Sequence, residues 1–211
     1  FAQRLTDWAG DDSDFMWSSD GKKLIFTSDR EFNQRLYQLD LESKEIRSLW
    51  GRDEDVSGPR LSPDGKSLGF WGSGEEGGLF LMSLETMQAR RLVKMPGPQI
   101  FGSGGGRFAW SPDQRWVAYE GRGDRLSQNI WVVPVDGGEP INVTRLYAQH
   151  GNPVWSPDGK YLLFSSNRDG NGLYVLPLKW EEARTLDTDL KYEKPTGPVD
   201  VEIDFKDISR R

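Results

Sequence analysis

A chain of 211 residues with a formal net charge of −6 lacks the clustered basic surface that nucleic-acid binding needs, so a DNA or RNA partner is disfavoured. Its 24 glycines, 12 prolines and 12% aromatic residues, beside only 36% hydrophobic residues, suit many short strands joined by tight turns rather than long helices. The absence of cysteine excludes a disulfide framework, a thiolate zinc site and a cysteine nucleophile, and no apolar run reaches the roughly 18 residues of a spanning helix, so membrane insertion is not expected.

The chain opens with Phe1 rather than Met, so a natural start and any targeting segment are expected to lie outside it, and the compartment stays open. Residues 1–10, through Gln3-Arg4-Leu5-Thr6, have the look of the last strand of a preceding unit. A repeat then begins. Four turn-like segments align: Trp17-Ser18-Ser19-Asp20-Gly21-Lys22, Leu61-Ser62-Pro63-Asp64-Gly65-Lys66, Trp110-Ser111-Pro112-Asp113-Gln114-Arg115 and Trp155-Ser156-Pro157-Asp158-Gly159-Lys160. Their starts are 44, 49 and 45 positions apart, the period of a four-stranded propeller blade.

The register extends past the turn. Nine positions after each start stands an aromatic (Phe26, Phe70, Tyr119, Phe164), and a second follows 19 to 21 positions after the start (Tyr37, Phe80, Trp131, Tyr174). Each unit reads as four short strands. The first ends at the Trp or Leu, and the Ser-Pro-Asp-Gly turn leads into a second, as in 23–27 and 161–165. A third carries the second aromatic, at 36–39, 79–82, 130–133 and 173–176, and a fourth falls at 46–49, 91–93, 141–143 and 184–186. Pro sets φ for a type I turn, Asp can accept from nearby amides, and Gly takes the left-handed position. Gln114 is therefore expected to carry a positive φ where Gly21, Gly65 and Gly159 stand in the other repeats.

These units divide the chain into blades at 11–50, 51–97, 98–146 and 147–190, followed by an exit linker and strand at 191–211. The expected fold is all-β: a β-propeller of about four four-stranded antiparallel blades, forming an open part of a six- to eight-bladed ring. An arc of this kind exposes the apolar faces of its end blades, which are expected to meet remaining blades or a second copy of the chain.

The repeat Trp-Ser-Pro-Asp-Gly-Lys, continued by Tyr161-Leu162-Leu163-Phe164-Ser165-Ser166-Asn167-Arg168-Asp169-Gly170 and Leu173-Tyr174-Val175, resembles the TolB-type propeller repeat. That repeat occurs in TolB, in tricorn-type proteases and in prolyl-oligopeptidase-like enzymes, so it speaks for fold before function. The tail from Lys194-Pro195-Thr196-Gly197-Pro198 to Ile208-Ser209-Arg210-Arg211 is similar to the segment by which tricorn-type proteases leave their second propeller. The resemblance implies a non-catalytic substrate gate or scaffold of a serine peptidase whose catalytic groups lie beyond Arg211, with a peptide or protein as partner. The alternatives are a TolB-like interaction module of the cell envelope and the propeller of a prolyl-oligopeptidase-like enzyme. A cytoplasmic location goes with the tricorn-like reading and a periplasmic one with the TolB-like reading.

No catalytic constellation is legible. The single histidine, His150, has no nucleophile elbow near it in sequence, and too few nitrogen ligands exist for zinc; no metal or cofactor is expected. Gly102-Ser103-Gly104-Gly105-Gly106 lacks the Lys-Ser/Thr of a phosphate loop, Asp11, Asp12 and Asp14 lack the spacing of a calcium loop, and the sequon Asn142-Val143-Thr144 falls in an expected strand. The candidate site is instead a channel lining of Asp12, Asp14, Arg60, Arg107, His150 and Asn152, set at the beginnings of the innermost strands, where polar groups can recognise peptide termini or side chains.

Overall fold

The computed structural model describes residues 1–50, 55–95, 106–123, 127–180 and 195–211. The expected fourth strand at 184–186 and nearly all of the 102–106 glycine cluster lie outside the described residues. The chain forms two compact units, residues 1–105 and 106–211.

The first unit holds two four-stranded antiparallel sheets. One is built from β1 (Asp12–Trp17), β2 (Lys23–Glu31), β3 (Asn33–Asp40) and β4 (Ile46–Ser48) in that spatial order. The other follows the same meander with β5 (Val56–Leu61), β6 (Ser67–Gly72), β7 (Gly78–Ser83) and β8 (Ala89–Lys94). In the second unit β9 (Phe108–Trp110), β10 (Trp116–Arg122), β11 (Gln128–Pro134) and β12 (Ile141–Asn142) form a third four-stranded sheet. There, β13 (His150–Trp155), β14 (Tyr161–Ser166) and β15 (Gly172–Pro177) make three strands of a fourth.

The repeated turn is a small hydrogen-bonded machine, the same in all four sheets. The serine hydroxyl donates to the aspartate two residues on, at 2.6 Å from Ser18 to Asp20 and 2.5 Å from Ser156 to Asp158, and accepts the N–H that starts the next strand, at 2.9 Å for both Lys23 and Tyr161. The same aspartate accepts a second N–H, at 3.0 Å from Lys22 and Lys66 and 3.1 Å from Arg115 and Lys160. Every turn closes on a left-handed residue: Gly21 (φ 68°), Gly65 (φ 69°), Gln114 (φ 63°) and Gly159 (φ 70°). Gln114 thus holds the backbone the sequence assigned to it. Pro is dispensable here, since Ser19 keeps the turn closed through the serine and aspartate alone.

The two aromatics of each repeat are direct cross-strand neighbours: Phe26 with Tyr37, Phe70 with Phe80, Tyr119 with Trp131 and Phe164 with Tyr174. Their facing positions on strands two and three make each pair a packing unit of its sheet. Stacking of one sheet on the next does the rest. Ile25, Leu36, Leu49 and Trp50 of the first sheet bury against Val56, Leu68, Phe70, Phe80 and Met82 of the second, with Trp50 5.0 Å from Phe70 and 5.4 Å from Phe80 between ring centroids. In the second unit Ala118, Ile130, Val132 and Val143 bury against Trp155, Leu162, Phe164 and Leu176. Each such aliphatic or aromatic side chain contributes about 1.5–3 kcal/mol by leaving water.

Two terminal segments depart from expectation. Residues 1–10 form no strand; Arg4 folds the segment back through the carbonyls of Thr6 and Trp8, and the Trp8 indole donates to Asp29 at 2.6 Å. Residues 195–211 of the tail form no strand either. Val201 and Ile208 enter the core of the second unit, the Val201 N–H donates to the turn residue Asp113 at 2.9 Å, and the Asp204 N–H donates to the Leu178 carbonyl at 2.9 Å. A 3-10 turn, Ile208–Arg210, closes it, and the fully buried side chain of Arg211 donates to the carbonyls of Leu178, Asp204 and Lys206 at 2.9 Å each. The alternating apolar residues therefore serve docking across turns rather than ladder pairing.

Candidate functional site

The first strand of three sheets carries the same irregularity. The ladder register shifts between Ser13 and Met16, between Ser57 and Arg60, and between Gly151 and Val154. At each bulge one residue turns left-handed: Asp14 (φ 48°), Gly58 (φ 56°) and Asn152 (φ 55°). All three stand three positions before the repeat Trp or Leu, and Asp, Gly and Asn are the residue types that tolerate this backbone best.

A left-handed bulge turns its N–H out of the ladder, and a carboxylate from the adjacent sheet meets it. Asp14 Oδ2 accepts the Gly58 N–H at 3.2 Å, and Glu120 Oε1 accepts the Asn152 N–H at 2.6 Å. The bulge carbonyls are held as well. Thr27 Oγ1 donates to Ser13 O at 3.2 Å, and the equivalent Ser165 Oγ donates to Gly151 O at 3.0 Å. Glu120 also receives the Gln128 amide at 2.9 Å, which fixes both of its oxygens.

A second repeated node lies at the start of the same strands. The N–H just before each first strand is accepted by one side chain at the end of the second: Asp11 by Asp29 (3.0 Å), Asp55 by Ser73 (3.0 Å) and Gln149 by Asn167 (2.9 Å). In the first sheet Asp12 then pairs with Arg30 at 2.9 Å, while Arg30 Nε donates to Ser28 Oγ at 3.0 Å and its guanidinium lies over Phe26 and Tyr37, 5.3 and 4.8 Å from the ring centroids. Although partial burial raises the Asp12 carboxyl, hydrogen bonds from Ser28, Thr6 and Arg30, together with the Arg30 charge, hold it below its ordinary value.

The six sequence-predicted residues therefore do not share one role. Asp12 anchors Arg30, Asp14 and Asn152 occupy bulges, and Arg107 precedes β9 with its carbonyl accepting the Glu120 N–H at 3.0 Å. Arg60 was expected at a strand start, but it is the penultimate residue of β5, at the turn end of the strand. His150 was expected in a polar lining, yet it is only 2% exposed and neither ring nitrogen has a hydrogen-bond partner. Its ring meets Phe164 edge-on with centroids 5.4 Å apart, and burial, reinforced by the Arg168 charge, pushes its pKa down. Asp11, Asp12 and Asp14 do not converge on a cation; Asp12 and Asp14 are committed to Arg30 and to Gly58. Glu120, Thr27 and Ser165 were missed, though each directly follows the repeat aromatic of strand two, at Tyr119, Phe26 and Phe164, and that shared position was a signal for them.

No protein-family model matches the chain. It is 32% identical over 161 residues to the uncharacterized peptidase YuxL of Bacillus subtilis, an overlap of 74% of this chain and 22% of that protein. It is 29% identical over 125 residues to a tricorn protease homolog of Saccharolobus solfataricus, covering 59% of this chain and 11% of that one. The crystal structure of TolB from Acinetobacter baumannii matches 82% of this chain and 42% of its own with a TM-score of 0.55 at 23% identity, a likeness of fold. The chain spans less than a quarter of either curated relative. It is an all-β propeller segment related to the TolB-type β-propellers.

Proposed function

We propose that this segment is a non-catalytic gate or scaffold for peptide substrates within a larger serine peptidase. The observation that carries this reading is the 32% identity to a peptidase over 161 residues, an overlap that runs through the repeated sheets themselves. The similarity to a tricorn protease homolog supports the same reading. In the first unit the start of β1 carries Asp12, paired with Arg30 of β2, and the bulge residue Asp14; in the second unit β13 carries the bulge residue Asn152, whose N–H is accepted by Glu120 of β10. Charged and polar groups of both signs are the kind that recognise peptide termini and side chains. Catalysis belongs, on this reading, to a separate domain.

The fold likeness to TolB favours a second reading, a protein-interaction module without a peptidase. Reading the parent coding sequence past Arg211 separates the two. A peptidase domain downstream is the expected result, and a stop codon with no peptidase anywhere in the parent overturns it. A Gly-x-Ser-x-Gly hydrolase domain downstream would reassign the parent to the prolyl-oligopeptidase-like enzymes.

A further inference from the structure

Two sheets of this chain carry the same node, and one of them lacks its anion. In the first sheet, Asp12 faces Ser28 across the ladder and pairs with Arg30 over the rings of Phe26 and Tyr37. In the fourth sheet, the same repeat positions hold His150, facing Ser166, followed by Arg168, and the Phe164 and Tyr174 rings are again paired, their centroids 5.9 Å apart. Serine, arginine and both aromatics are retained. The carboxylate alone is replaced, by an imidazole that is 2% exposed with neither nitrogen bonded.

The replacement leaves donors without an acceptor. Arg168, half exposed, reaches only a loose contact with the exposed Asp169, Nε to Oδ2 at 3.6 Å, where Arg30 makes a 2.9 Å bond to Asp12. Ser166 is buried and accepts the Arg168 N–H at 3.1 Å, so its hydroxyl proton remains for another acceptor. A buried imidazole with no partner costs stability, and such groups ordinarily find one.

We infer that His150, Ser166 and Arg168 form a binding site for a ligand carboxylate, which supplies the anion that Asp12 supplies in the first sheet. Resting on the proposed function, the ligand class is a peptide with a free C-terminus: its carboxylate would accept from the guanidinium, the hydroxyl and one imidazole N–H, a set of charge-assisted bonds matched to that group. Half-exposed Arg168 is the point of entry, and the buried His150 the specificity element behind it.

The single histidine makes the test direct, because its ring resonances need no assignment. The probe is N-acetyl-dialanine, with its C-terminal amide as control, titrated against the chain by NMR. The acid is expected to shift the His150 ring signals and raise its pKa by about one unit, as a nearby anion must. The amide is expected to bind at least about tenfold more weakly, and Arg168→Gln to abolish the acid-specific shift while leaving the amide spectrum folded. Equal effects of acid and amide, or an acid shift that survives Arg168→Gln, overturn the inference. Its failure is separable from that of the proposed function. An unresponsive His150 in a parent that still selects peptides by length removes this site alone; an acid-specific site in a parent lacking any peptidase removes the gating reading alone.

Discussion

Glu120 reaches from the third sheet to accept the backbone N–H of Asn152, the left-handed bulge residue of the fourth, at 2.6 Å. Asp14 does the same for Gly58 between the first and second sheets, at 3.2 Å. Each contact fastens a bulged first strand to the adjacent sheet where its ladder is broken: β5 to β1 through Asp14, and β13 to β10 through Glu120. Glu120→Ala leaves the Asn152 N–H and the Gln128 amide without their acceptor and is expected to cost about 1–2 kcal/mol. Hydrogen exchange at the Asn152 amide should quicken far more than at Val117 in the neighbouring ladder. Uniform quickening across β10 would instead mean general destabilisation.

The repeated turns predict opposite signs for two similar substitutions. Gln114→Gly relieves a left-handed side chain and should be neutral or stabilising by up to about 1 kcal/mol. Gly159→Ala adds that strain and also drives a Cβ to 2.8 Å from Val201 and 2.9 Å from Val199, so a loss of about 1–3 kcal/mol is expected. Urea denaturation of the two variants checks both signs.

Arg211 holds the tail by bonds to three carbonyls around the 3-10 turn, beneath the ring of Trp180, 4.9 Å from its centroid. Arg211→Ala should free the segment that follows Val201. The Asp204 amide, bonded to Leu178 O, is expected to exchange at least about tenfold faster, while amides of β14 keep their protection. Unchanged exchange at Asp204 would show that Val201 and Ile208 suffice to dock the tail.

His150 gives stability a pH dependence of known sign. Burial holds its folded pKa below the unfolded value, so the unfolded chain takes up the proton first as pH falls. The contribution is complete above pH of about 6.5 and is lost as pH drops from there towards the depressed folded pKa, with a limiting slope near 1.4 kcal/mol per pH unit. The carboxyls held low by hydrogen bonds, such as Asp12 and Asp64, titrate below that window. His150→Phe should flatten the slope between about pH 6.5 and 5 in denaturation series; a slope unchanged by the substitution would contradict it.

The fold was legible because its signals are local. Trp17 to Lys22 and its three counterparts encode a turn in six residues, and the aromatics Phe26 and Tyr37 announce their pairing by register. The bulges were legible in principle, since Asp14, Gly58 and Asn152 share one repeat position and one conformational tolerance. What was missed depends on contacts distant in sequence. The tail reads as a strand because it alternates, but residues 195–211 pair with no strand among the described residues, and Arg211 draws the segment down onto Leu178. His150 reads as a rim residue because it is polar, while its ring packs edge-on with Phe164 and is buried. Arg60 was placed by charge, and its repeat equivalents Met16 and Val154 show that its position belongs to the turn end.

The central claim, that this segment controls access for peptides without cleaving them, is tested most directly in the parent protein with a ladder of peptides from about four to about thirty residues. The double substitution Asp14→Ala with Asn152→Ala alters the strand starts and no residue of a catalytic domain. It is expected to leave kcat/KM for the shortest peptides within about twofold of the unaltered parent and to change it by at least about tenfold for the longest. The isolated chain is expected to cleave none of them. An equal change at every length, or turnover by the isolated chain that one serine substitution abolishes, would contradict the account.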